Sequence, residues 1–162
     1  MENDQRTADG SYIRRAIEGD AEELSRIAYA SKAYWGYDDQ YMISAKPFLT
    51  ITSEHIHRNE VYVQERSDGI AGFYSLRLEG RESELVWLFV RPSFIGKGMG
   101  SLLWNHLVHL ADSCGAQRMY IVSDPNAERF YLARGASRVG TKPSLVDPSI
   151  AMPWLRYDLR RS

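Results

Sequence analysis

Cysteine is almost missing: Cys114 stands alone in 162 residues, so no disulfide can form within the chain. The expected setting is a reducing cytoplasm, with Cys114 a small residue on the buried side of a central helix and not a nucleophile. Long apolar runs are missing too. Nothing approaches the roughly 20 residues that cross a bilayer, which leaves no role in a membrane. The opening MENDQRTADGSY has no apolar stretch of the signal-peptide kind, so export is not expected. Neither sign of charge dominates. Twenty Lys and Arg against 21 Asp and Glu give a net charge of −1, which argues against nucleic acid as main partner, because phosphate backbones need a basic face. Repeats, low-complexity tracts and linkers are also lacking. Residues 1–10 read as a flexible tail, and residues 11–162 as a single domain large enough for a core.

The four histidines lack the partners a metal would need. His106 and His109 fall three apart on a predicted helix, yet no acidic or cysteine set accompanies them or His55 and His57, so no metal is expected. No Ser-His-Asp arrangement or nucleophile elbow supports a hydrolase.

What is present is organised around Leu85–Trp104, LVWLFVRPSFIGKGMGSLLW. A β-favouring run ends at Arg91-Pro92. Glycines follow at 96, 98 and 100, and Leu102, Leu103, Leu107 and Leu110 then recur at helical spacing. Strand, glycine loop and helix suit a phosphate group. Glycine lets backbone come close, and free N–H groups at a helix N-terminus face the anion with the dipole behind them. An ordinary strand-to-helix turn would look much the same.

The flanking segments predict an α/β domain. Strands are expected at 12–17, 61–64, 70–78, 83–90, 118–122, 137–140 and 154–159. Asp68-Gly69 and Glu79-Gly80 join three of them in an antiparallel meander. Asp20 is the expected N-cap of a first helix, with Glu23 completing a capping box. A second helix starts near Asp38 and is interrupted at Pro47, and a further turn spans 53–58. The central helix runs from Gly98 to Ser113, closed by Gly115. Another covers 126–134, with Gly135 beyond it.

Two motifs then carry a resemblance to the GCN5-related N-acetyltransferase (GNAT) superfamily over nearly the whole domain. Ile95-Gly96-Lys97-Gly98-Met99-Gly100, between strand and helix, is similar to that family's acetyl-CoA loop, Gln/Arg-x-x-Gly-x-Gly/Ala. It departs at Ile95, where the family most often has Gln or Arg. The stretch Asp124-Pro125-Asn126-Ala127-Glu128-Arg129-Phe130-Tyr131, with Gly135 following, resembles the family's Asn/Ala/Phe-Tyr/Gly segment. The implied fold is a mixed central sheet of about seven strands, an antiparallel meander with a parallel splayed pair, flanked by about four helices. The implied function is transfer of an acetyl group from acetyl-CoA to a primary amine of a small molecule or peptide, by direct attack in a ternary complex. A non-catalytic acyl-CoA-binding domain on the same fold is the alternative. A nucleotide-phosphate-binding protein fits less well, since the loop lacks a Gly-Lys-Ser/Thr ending.

By the same resemblance, residues take roles. An alkyl amine with a pKa near 10 must lose a proton before it attacks. Glu84, four residues before Leu88, matches the base glutamate of the family's histone acetyltransferases; a water chain is the other source. Backbone N–H groups of Leu88, Phe89 and Val90 would stabilise the charge that develops on the thioester oxygen. The loop from Ile95 to Ser101, including Gly96, Lys97, Gly98, Met99 and Gly100, would hold the pyrophosphate. Asn126 would meet the pantetheine or cap a helix, and Tyr131 would supply the proton to the leaving thiolate. The acceptor would sit among Tyr34, Trp35, Tyr37, Trp87 and Trp154, with Tyr41 nearby, although each could equally be core packing. The resemblance also leaves room for a homodimer.

Overall fold

A computed structural model describes residues 10–159; the expected tail, save for Gly10, lies outside them. The strands are β1 Tyr12–Arg15, β2 Glu60–Arg66, β3 Gly69–Glu79, β4 Glu82–Val90, β5 Arg118–Val122, β6 Ser137–Pro143 and β7 Ala151–Asp158. The helices are α1 Ala21–Ala33, α2 Asp39–Ala45, α3 Ser53–Arg58, α4 Met99–Ser113 and α5 Glu128–Leu132. One mixed sheet takes the order β1-β2-β3-β4-β5-β7-β6. Every neighbouring pair is antiparallel except β4 and β5. A parallel pair needs a crossover, and α4 is that crossover. The expected α/β architecture, with its meander and one parallel pair, is the observed one.

Alternation along the strands sends residues to two cores. Phe73 joins Leu24, Ile27, Met42, Val61 and Val63 under α1, α2 and α3. Its neighbour Tyr74 joins Leu85, Leu103, Leu107, Met119 and Leu155 on the face covered by α4. At roughly 2 kcal/mol for each fully buried leucine, these two layers supply the main drive to fold.

Several local expectations shift. β1 stops at Arg15, and a short 3₁₀ turn over Glu18–Asp20 precedes α1. Asp20 is the N-cap residue of that helix, as expected, but its side chain makes no capping bond to it. Its carboxylate accepts from Arg14 at 2.9 and 3.0 Å and from the Ile17 N–H at 2.8 Å. Burial works against its charge, but these donors prevail and hold it below the usual carboxylate range. Cys114 is exposed, not buried. It forms the C-cap of α4, one residue beyond the last helical residue, Ser113, and three beyond Ala111, the last buried one. The 126–134 segment begins as a 3₁₀ turn, Pro125–Ala127, before α5.

One irregularity positions the site. Ser75 pairs with Trp87 but Leu76 pairs with Leu85, so Val86 is an extra residue on β4. A bulge bends its strand and increases the local twist. The parallel pairing with β5 covers Glu82 to Leu85 and ends at Leu85 opposite Ile121, immediately before that bulge. Beyond it β4 follows β3, with the Arg91 N–H donating to Ala71 O at 2.7 Å. β5 follows β7, with the Ser123 N–H donating to Pro153 O at 2.9 Å. Gly72 lets β3 keep its grip: a Cβ there would stand 2.7 Å from Phe89 O. The two halves of the sheet part at this point.

Candidate active site

Where the strands part, a cavity of about 1060 Å³ opens. Leu85 to Val90 line one wall, Ile121 to Asp124 the other, and the glycine loop, Asn126, Phe130 and Tyr131 complete that part of it. Since Arg91 donates to β3, strand alternation turns the Phe89 N–H to β3 as well and leaves those of Leu88 and Val90 facing the opening. The three candidates are therefore not equivalent.

At the C-terminal end of β4, Gly96 and Gly98 have φ of 79° and 84°. A Cβ at either would meet nothing within 4 Å, so the requirement is for backbone conformation rather than space. Gly98 is the N-cap of α4 and the first intrahelical bond runs from the Leu102 N–H to Gly98 O. The N–H groups of Met99, Gly100 and Ser101 thus have no acceptor within the helix. Ile95, Gly96, Gly98, Gly100 and Ser101 line the cavity. Lys97 and Met99 are not among the lining residues: Lys97 is exposed, with Nζ 5.8 Å from the Phe94 ring, and the Met99 side chain is buried.

Arg134 was not anticipated. It lies four residues after Phe130, in the turn just past the end of α5, and that i,i+4 spacing is the signal that could have revealed it. Its guanidinium covers the Phe130 ring at 3.5 Å and bonds to Ser101 Oγ. Among the described residues no carboxylate pairs with it. A cation without an acid partner, beside free amides at a helix N-terminus, suits an anionic group.

Tyr131 is buried at 6% exposure, against Trp104 at 5.7 Å and Phe130 at 5.2 Å between ring centroids. Burial pushes its hydroxyl above the ordinary tyrosine pKa; Arg134 opposes this and Asp124 adds to it. Glu84 lines the cavity at the paired end of β4, and its cross-strand neighbour Arg77 donates to it at 2.8 Å. Trp87 lines the wall, backed by the His55 ring at 4.4 Å, and His55 Nε2 lies 2.6 Å from Ser75 Oγ.

The expected acceptor aromatics divide. Trp35 lines the cavity, whereas Tyr34, exposed, packs edge-on against Trp35 outside it. Tyr37 stacks on Tyr41 at 4.2 Å, and Tyr41 rather than Tyr37 lines the main cavity. Trp154 stacks on Tyr120 at 5.6 Å and is not among the lining residues, with Lys142 Nζ 4.5 Å over its ring. Tyr37 instead donates to Asp124 at 2.7 Å, and Asp124 also takes Lys32 Nζ and the Asn126 N–H. Lys32 and Asp124 retain only 11% and 13% side-chain exposure. Burial works against the Asp124 charge, yet Lys32 and the other donors hold its pKa below the usual carboxylate range. The partners are 92 residues apart, and nothing in local spacing joins them.

Among the described residues no group of three or more His, Cys, Asp or Glu is placed to hold a metal ion, and no helix is long and apolar enough to cross a membrane.

Comparison with known proteins agrees with this geometry. No curated protein sequence matches the chain. Solved structures do. PaiA N-acetyltransferase from Thermoplasma acidophilum, in complex with coenzyme A, has a TM-score of 0.72 at 19% identity, covering 91% of this chain and 98% of its own. A GCN5-related N-acetyltransferase from Rhodopseudomonas palustris reaches 0.75 at 20%, covering 90% and 94%. The ribosomal-protein-S18-alanine N-acetyltransferase from Escherichia coli reaches 0.70 at 15%, covering 94% and 96%. These likenesses are of fold. The model of the acetyltransferase (GNAT) family matches residues 22–136, which hold β4, the glycine loop, α4, β5 and Tyr131. On that match the chain belongs to the GNAT acetyltransferase family.

Proposed function

We propose that the protein is an acetyl-CoA-dependent N-acetyltransferase that acts on a primary amine within a ternary complex. The observation that carries this reading is the convergence, in one cavity, of the parted strands, the glycine loop and the buried Tyr131. The residues fit coenzyme A: unspent loop amides and an acid-free Arg134 for the diphosphate, and unpaired β4 and β5 backbone for the amide-bearing arm.

Bound acetyl-CoA supplies an activated thioester; the rest belongs to this chain. The N–H groups of Gly96, Gly98, Gly100 and Ser101 hold the phosphates, and Arg134 provides the guanidinium that Ile95 cannot. The Leu88 and Val90 N–H groups hold the carbonyl oxygen as its charge grows. Asn126 orients the arm. Tyr131 Oη keeps its proton for the departing sulfur, because burial disfavours its ionisation. Glu84 accepts the amine proton, directly or through water, with Arg77 fixing its carboxylate.

Free-thiol release from acetyl-CoA across amines, amino acids, polyamines, aminoglycosides and peptides tests the reading. Acceptor-dependent release is expected. Tight CoA binding with no release in any arm would favour a binding module instead. Gly98→Val tests the loop separately. A β-branched residue resists the left-handed backbone by about 1–3 kcal/mol, so the loop must shift. Calorimetric titration should show CoA affinity at least tenfold weaker, and unchanged affinity would remove the loop from the site.

A further inference from the structure

The charges of the cavity narrow the acceptor, an inference that rests on the acyl-transfer reading above. Among the described residues only two acidic side chains line it, Glu84 and Asp124, against four basic ones, Lys32, Arg77, Arg134 and Lys142. Arg134 belongs to the glycine-loop end. Both carboxylates are already engaged: Asp124 by Lys32, Tyr37 and Asn126, and Glu84 by Arg77. Lys142 is the remaining cation. It is exposed, pairs with no carboxylate among the described residues, and is steadied by the Trp154 face.

Much of the remaining lining is apolar. Trp35, Tyr41, Phe48, Trp87, Leu145 and Met152 are part of it, and Trp35, Phe48 and Leu145 are left 40%, 45% and 79% exposed. Large side chains left open around one pocket mark a place for an apolar body. A molecule with several ammonium groups would need several free carboxylates there. Glu84 can serve the one amine that reacts; a second ammonium would find Asp124 already taken by Lys32 and would meet the unpaired charge of Lys142.

We propose that the acceptor is a monoamine with an aromatic or bulky apolar body and a carboxylate, in chemical terms a free apolar α-amino acid. Its carboxylate binds Lys142, its side chain packs among Trp35, Phe48 and Leu145, and its amine faces Glu84. In the reaction the amine nitrogen bonds to the acetyl carbon as the carbon–sulfur bond breaks. The ammonium gives one proton to solvent through Glu84 before attack, and the second proton that nitrogen loses balances the one gained by sulfur.

The experiment compares kcat/KM for L-phenylalanine, L-tryptophan, phenethylamine, spermidine and kanamycin, with acetyl-CoA saturating. The amino acids should exceed spermidine and kanamycin by at least tenfold. Lys142→Met should narrow the ratio of phenylalanine to phenethylamine about tenfold, since only the first carries the carboxylate. A preference for spermidine or kanamycin, or a ratio untouched by Lys142→Met, overturns the acceptor class and leaves acyl transfer standing. No thiol release with any of these five also overturns the acceptor class, and the acyl-transfer reading falls with it only if the peptides of the wider panel fail too.

Discussion

Replacing Tyr131 with phenylalanine should lower kcat by about two to four powers of ten, the range that one positioned acid or base supplies, while the Kd for CoA moves less than about twofold. The change removes one oxygen from a ring held by Trp104 and Phe130, so shape and packing survive. What is lost is a proton. Burial and the nearby Asp124 keep the hydroxyl protonated throughout the working pH range. The sulfur leaving in the same enclosed site also gains proton affinity by desolvation, so donor and acceptor are raised together. Single-turnover thiol release separates this chemical step from product departure. Full turnover in Tyr131→Phe would exclude it as the acid.

Lys32→Met should destabilise the protein by about 3 kcal/mol, because it strands the Asp124 charge in a site closed to most solvent. For a chain of this size that is a fall in Tm of roughly 6–12 °C. Asp124→Asn should also destabilise, and the double variant should lose less than the two singles combined, a coupling that scanning calorimetry can resolve. The acid branch gives an independent check. Asp124 has a folded pKa below its unfolded value, so its contribution is complete above the unfolded pKa of about 4 and disappears as the pH falls through the lowered folded value. The Tm gap between wild type and Asp124→Asn should therefore be level near neutrality and narrow in strong acid. A gap that persists unchanged to pH 2 would mean that the pair is not ionic.

Local chemistry explains which parts of this molecule could be read before its structure. Asp68-Gly69 and Glu79-Gly80 announced the meander because hairpins are short-range. Gly96 and Gly98 announced a tight loop because their left-handed backbone is a local demand. The place of Tyr131 at the cavity was legible through the motif around it. The bulge at Val86 was not, since it is a matter of register between two strands and leaves no compositional mark. Nor was the insertion of β7 between β5 and β6, which is settled by competition among strand edges. The Lys32–Asp124 pair joins helix to loop across most of the chain. Cys114 failed as a buried residue because helical periodicity was extended one position too far, onto the cap.

The four pairings between β4 and β5 have a last consequence, for the lifetime of the molecule rather than its chemistry. They are a short seam between a block of β1 to β4 and a block of β5, β7 and β6. A cofactor lying across that seam would act as a staple as well as a reactant. At a hundred times its Kd, a ligand bound only to the intact fold adds about 2.7 kcal/mol. Supply of acetyl-CoA would then govern how often the seam springs apart, and so how quickly proteases find the chain.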